Sequence, residues 1–146
     1  MTQPFVRHGD AEALCIEIAK NHTPELASAN FMVSTDLRGY DSGMRWIVLS
    51  QEGGSKAGWN VINKPRIDFE VRSESRNTSR DVAEILEASF FRAIGTKAWG
   101  CSLSQVKEET GILRIPDKLE DVSFRYIFSL RLVVMIDEAS MPTLLS

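Results

Sequence analysis

Apolar and polar residues alternate most regularly in two stretches of the chain. After Pro65, Ile67, Phe69 and Val71 alternate with Arg66, Asp68, Glu70 and Arg72. Residues two apart share a face of a strand, so this pattern predicts a strand with one buried and one wet face. From Val122 the rhythm is longer. Val122, Phe124, Tyr126, Phe128, Leu130, Leu132, Val134 and Ile136 fall on one face, and Ser123, Arg125, Ser129 and Arg131 on the other. A strand of about fifteen residues spans roughly 50 Å at 3.3 Å each. Typical strands have five or six residues, so this one is expected to bend, bulge or reach past its own domain.

Two segments carry the helical period instead. Ala11, Leu14, Cys15, Ile18 and Ala19 form a stripe behind Asp10, a plausible N-cap, and predict a helix to about Asn21. Thr23-Pro24 stops it, because proline disfavours helical geometry in the residue before it. A second helix is predicted from about Ser79 to Ala93, capped by Thr78 or Ser79, with Asp81 in its first turn. Its buried face is expected to carry Val82, Ile85, Leu86, Ser89, Ala93 and Ile94, with Phe90 beside them, and Gly95 ends it.

Shorter strand candidates cover roughly residues 30–37, 45–51 and 101–110. The first two are joined by Arg38-Gly39-Tyr40-Asp41-Ser42-Gly43, whose glycines, Asp and Ser suggest a hairpin. Gly111 and the Pro116-Asp117 segment are expected to form a connection. The whole reads as one α+β domain over residues 1–146, with a mixed or mainly antiparallel sheet of four to five strands, two helices and a long C-terminal strand. Residues 1–9 read as an arm, 52–64 as a flexible glycine-rich loop carrying Trp59, and 138–146 as a C-terminal tail. No repeat or low-complexity stretch interrupts it.

Composition narrows the function classes. The formal net charge of -3 offers no overall attraction to nucleic acid or to an anionic membrane. Two cysteines, Cys15 and Cys101, make no disulfide framework and fit a reducing compartment. The N-terminus carries no signal-peptide pattern, and the longest near-continuous apolar run, Leu132 to Ile136, is far short of a membrane span.

Few residues carry a chemical signature. His8 lies in the arm and His22 at a helix end, where its charge suits the helix dipole better than a catalytic role. Cys15, Cys101, His8 and His22 show no metal-ligand spacing. Adjacent acids at Glu108-Glu109 and Glu120-Asp121 point to opposite faces of a strand and do not form a dyad. Gly53-Gly54-Ser55-Lys56 lacks the phosphate-loop pattern and leads into a strand. Arg72, Arg76 and Arg80 recur every four residues, but Glu74 and Asp81 are interleaved and no aromatic platform flanks them, which suits a solvated cap. Trp59 is a candidate interface anchor, since tryptophan is enriched at binding hot spots; folding back onto its own core is the alternative. The expectation is a non-enzyme without cofactor or metal.

The order of elements from Pro65 onward resembles the tail terminator proteins of long-tailed bacteriophages and the related minor tail and tail-completion proteins. The resemblance rests on Pro65-Arg-Ile-Asp-Phe-Glu-Val71, the helix Asp81-Val-Ala-Glu-Ile-Leu-Glu-Ala88, and the charged strand end Gln105-Val-Lys-Glu-Glu109. The Pro116-Asp117 turn and the final strand opening Arg125-Tyr-Ile-Phe-Ser-Leu130 complete it. It covers about half the chain closely and the remainder in order of elements; residues 52–64 and 138–146 have no counterpart in it.

The resemblance implies a homohexameric ring in the virion, at the head-proximal end of the tail. Such a ring caps the tail tube, halts its polymerisation and joins the neck or head-completion protein, with genomic DNA passing through without sequence-specific binding. It implies a channel-facing surface at Arg66, Asp68, Glu70 and Arg72, and a subunit or tube interface at Gly53, Gly54, Trp59, Arg125 and Arg131. Mixed charges in the lumen would let DNA slide, and sheets extended across subunit boundaries would account for the long last strand. A head–tail connector is a near neighbour of this reading. A small cytosolic ligand-binding or regulatory domain, using the groove between the sheet and the second helix, is the alternative from another class.

Overall fold

A computed structural model describes residues 10–26, 29–36, 38–39, 44–57, 62–115 and 123–136. The arm 1–9, Trp59, the Pro116-Asp117 turn, Glu120-Asp121 and the tail 138–146 lie outside the described residues. The chain is α+β, with helices α1 (Ala11–Asn21) and α2 (Arg76–Arg92) on one mixed sheet. Six strands build that sheet: β1 (Met32–Ser34), β2 (Trp46–Ala57), β3 (Ile62–Ser73), β4 (Lys97–Ala98), β5 (Cys101–Ile115) and β6 (Phe124–Ile136). Their order across the sheet is β1-β2-β3-β6-β5-β4.

The first helix forms where its stripe predicts. Asp10 caps it by accepting a 2.9 Å hydrogen bond from the Ala13 amide, and Leu14, Cys15 and Ile18 are fully buried. The second helix starts earlier than expected. Ser75 is its N-cap, and Ser79 is not a cap because its buried hydroxyl bonds Ser73 Oγ at 2.6 Å and the Phe124 carbonyl at 2.8 Å. The helix also stops at Arg92, so Ile94, expected on the buried face, falls in the following turn and is 49% exposed.

The sheet departs from expectation in four places. It holds six strands rather than four or five, because Lys97–Ala98 adds a short β4. β1 and β2 run parallel, not as a hairpin; the connection from 35 to 45 is long enough to bring the chain back to the same end. Residues 52–57 continue β2 and 62–64 open β3, so most of the expected glycine loop is paired strand, with Gly53 at φ +73° beside a register shift between Gln51 and Gly54. β5 passes through Gly111 to Ile115, absorbing the extra residues in three register shifts.

β6 has 13 residues, about 43 Å, slightly shorter than the strand that its alternation predicts. It lies inside the sheet, paired with β3 on one side and β5 on the other along almost its whole length. Its length is therefore taken up within its own sheet. The outer strands differ: β1 covers only Trp46–Val48 of β2, and β4 only Cys101–Ser102 of β5.

The core fills one face of this sheet. Phe69 stacks on Phe128 with ring centres 4.5 Å apart and meets Phe90 of α2 edge-on at 4.9 Å. Leu86, Ile67, Leu130 and Leu132 complete a cluster without solvent contact. Arg92 near the end of α2 grips Glu25 through two hydrogen bonds of 2.8 and 3.0 Å, tying α2 to the 3-10 turn Pro24–Leu26. No described helix is long and apolar enough to cross a membrane.

Candidate functional site

The opposite face of the sheet carries the charged candidates. Alternation turns Arg66, Asp68, Glu70 and Arg72 of β3 away from the helices, each only partly buried. Register then sets β6 beside them: Arg66 opposite Arg131, Asp68 opposite Ser129, Glu70 opposite Ile127, and Arg72 opposite Arg125. Arg125 and Arg131, expected at the interface, therefore share one surface with the four residues expected at the channel. Gly53 and Gly54 belong to β2, beyond β3 from the two arginines of β6.

Two of the facing pairs are arginine on arginine, which alone is repulsive. Acids resolve both. Glu70 Oε1 accepts a 2.6 Å hydrogen bond from Arg72 Nε, and Arg125 Nε lies 2.5 Å from the same oxygen without hydrogen-bond alignment. Arg66 binds Asp68 through contacts of 3.1 and 3.2 Å, and Asp68 also accepts a 2.7 Å bond from Ser129. Arg131 reaches Glu109 of β5 at 3.3 Å and donates to the Lys64 carbonyl at 3.1 Å.

The electrostatics follow this pairing. Arg131 holds the Glu109 carboxyl below its ordinary range, chiefly through their hydrogen bond. Hydrogen bonding to Asp68 raises the Arg66 guanidinium. Each of the four arginines thus has an acidic partner. Glu109 and Thr110 join this surface although no alternation in β5 pointed to them, because the register shifts of that strand break its period. A shallow depression of about 400 Å³ lies among Val48, Ser50, Arg66, Asp68, Arg125 and Ile127.

The other candidates are dispersed. His22 is the exposed C-cap of α1, its amide bonded to the Ile18 carbonyl, and His8 lies outside the described residues. Cys15 and Cys101 are both buried thiols, and burial raises the Cys15 pKa strongly. Among the described residues no group of three or more His, Cys, Asp and Glu side chains is placed to hold a metal. Arg76 opens α2, and Arg80 pairs with Glu84 one turn on at 3.2 Å. The groove between sheet and α2, the site of the alternative ligand-binding reading, is filled by Phe69, Phe90 and Phe128.

One carboxylate contact was not legible in the sequence. Glu87 of α2 lies close enough to Glu108 of β5 for the two carboxyls to interact, while Glu109 faces Arg131. Glu87 Oε2 is buried without a hydrogen-bond partner among the described residues. Burial first, then the interaction with Glu108, raises the Glu87 carboxyl to about 7. This pair lines neither of the two depressions described in the molecule. No protein-family model and no curated protein matches this chain.

Proposed function

We propose that this chain is a structural ring subunit of the tail-terminator type, a non-enzyme that closes a phage tail tube and meets the neck complex. Its open sheet face is turned to the channel through which DNA passes. The observation that carries the reading is the pairing of all four arginines on that face. Phosphate capture needs unopposed cations, and each captured phosphate releases counterions at a gain in affinity. A face of paired charges stays hydrated and lets a polyanion slide past.

Two further features support it. The sequence resembles the terminator layout from Pro65 to Asp137. Apart from the Gln51 amide, which donates to Glu12, and Leu103, which bonds Gly95 and Thr96, the outer sides of β2 beyond Val48 and of β5 beyond Ser102 have no strand partner among the described residues. Free strand edges of this length favour pairing with another chain, so the strands suited to extend a sheet between neighbours are β2 and β5, not β6.

Negative-stain imaging of the purified protein tests the reading, with rings around a central hole as the expected result. A protein that stays monomeric at the highest soluble concentration, and ignores tail tube protein, removes it. Pull-downs with tube protein and with neck protein separate a terminator from an adjacent connector.

A further inference from the structure

Trp99 and Gly100 form the two-residue turn between β4 and β5, with φ of +54° and +78°. Such turns favour Asn-Gly, because a bulky side chain is strained at positive φ. Burial does not offset the strain, since Trp99 is 61% exposed. Its carbonyl is held by the Asp10 amide at 3.0 Å, at the head of α1. The fold thus keeps a large aromatic pointing outward where a smaller residue would be more stable.

The far end of α1 carries a matching hollow. A cavity of about 250 Å³ opens there against β1. Buried Ala19, Leu26 and Ile47 form its base, and half-buried Phe31 and Val33 form its walls. Lys20 and Asn30 stand exposed at its mouth. The eleven residues of α1, about 16 Å, separate it from Trp99. β1 and β4 are also the two outermost strands. A subunit's own Trp99 therefore does not reach its hollow.

We propose that Trp99 of one copy seats in the Ala19–Leu26–Phe31–Val33–Ile47 cavity of a second copy, as a head-to-tail contact. The chain carries both halves of the contact at opposite edges of its sheet, with room in the hollow for one indole. Lys20 stands at the cavity mouth, and Asp10 and Lys97 both flank Trp99, so apolar fit and not charge selects the contact. Every copy keeps one free knob and one free hole, so the contact repeats and closes into a ring if the rotation allows. This rests on the self-association in the reading above, not on the identity of what passes through or docks.

Sedimentation of the full chain tests it with Trp99→Asn and Lys20→Trp. Trp99→Asn relieves the turn, so it is expected to fold with a higher Tm and self-associate at least ten-fold more weakly. Lys20→Trp plugs the cavity mouth and is expected to weaken association equally. A mixture of the two variants should give a heterodimer and nothing larger, because only one intact knob meets one intact hole. Wild-type association by Trp99→Asn overturns the proposal and leaves the ring standing. A mixture without heterodimer removes this cavity as the receptor, and a monomeric wild type removes both ring and contact.

Discussion

Along β3 and β6 neighbouring residues live in different solvents. Ile67, Phe69 and Val71, with Tyr126, Phe128, Leu130, Leu132 and Val134, face the helices and are almost without water contact. One residue away in each case, Arg66, Asp68, Glu70 and Arg72, with Arg125, Ser129 and Arg131, face outward in a web of ion pairs. The first face is held by area removed from water and by dense packing. The second is held by four arginines interleaved with three carboxylates near solvent, where each pair adds little. Stability is therefore concentrated on one side of the sheet, leaving the residues of the other side free to change at little cost.

Adjacent substitutions sharpen that contrast. Phe69→Ala opens a cavity between Phe90 and Phe128 and is expected to cost about 3–5 kcal/mol in urea unfolding. Asp68→Ala, its neighbour on the open face, is expected to cost less than about 1 kcal/mol. Equal losses at the two positions would break the comparison.

Glu70→Gln probes the most enclosed part of the open face. It leaves Arg72 and Arg125 facing each other without their shared acid, where side-chain exposure is 13% for Arg72 and 17% for Glu70. The expected loss is about 1–2 kcal/mol, between an exposed and a buried ion pair, and it should shrink as salt screens the two arginines. A loss that grows with salt would contradict the repulsion.

The smallest effect lies between helix and sheet, where Glu87 meets Glu108. Its folded pKa of about 7 exceeds its ordinary 4.5, so folding favours the protonated form. That contribution is full below about pH 4.5 and is lost as pH rises through about 7. Glu87→Gln keeps the neutral form at every pH. It is expected to stabilise the protein by about 1 kcal/mol at pH 8 and hardly at all at pH 4.5, read from Tm against pH. A pH-independent change would show that the two carboxyls do not share a proton.

The same contrast separates what was legible along the chain from what was not. Strict alternation at Pro65–Val71 and over Tyr126–Val134 of β6 named the two faces correctly, because period two requires no knowledge of neighbours; Ser123, expected on the wet face, is buried. Glu109 escaped because bulges in β5 reset that period. Ser79 read as a cap because serine suits one, yet a partner distant in sequence, the Phe124 carbonyl, took its hydroxyl. Residues 52–57 read as loop because glycine lowers strand propensity; pairing with β3 overrode it. Trp99-Gly100 does not match Asn-Gly turn chemistry, so the short hairpin it forms was not expected.

Local rules acting over a few residues settled the two helices, the alternation of β3 and β6 and the sorting of side chains between core and water. Those rules depend on backbone period, capping and proline geometry, all written in consecutive residues. Tertiary structure alone decided that β1 lies parallel to β2, that β6 is central, and that Arg125 and Arg131 stand beside Arg66 and Arg72. It also decided that a knob and a hollow stand at opposite ends of α1. Register and strand order pair residues far apart in the chain, and such pairings leave no period for a sequence to display.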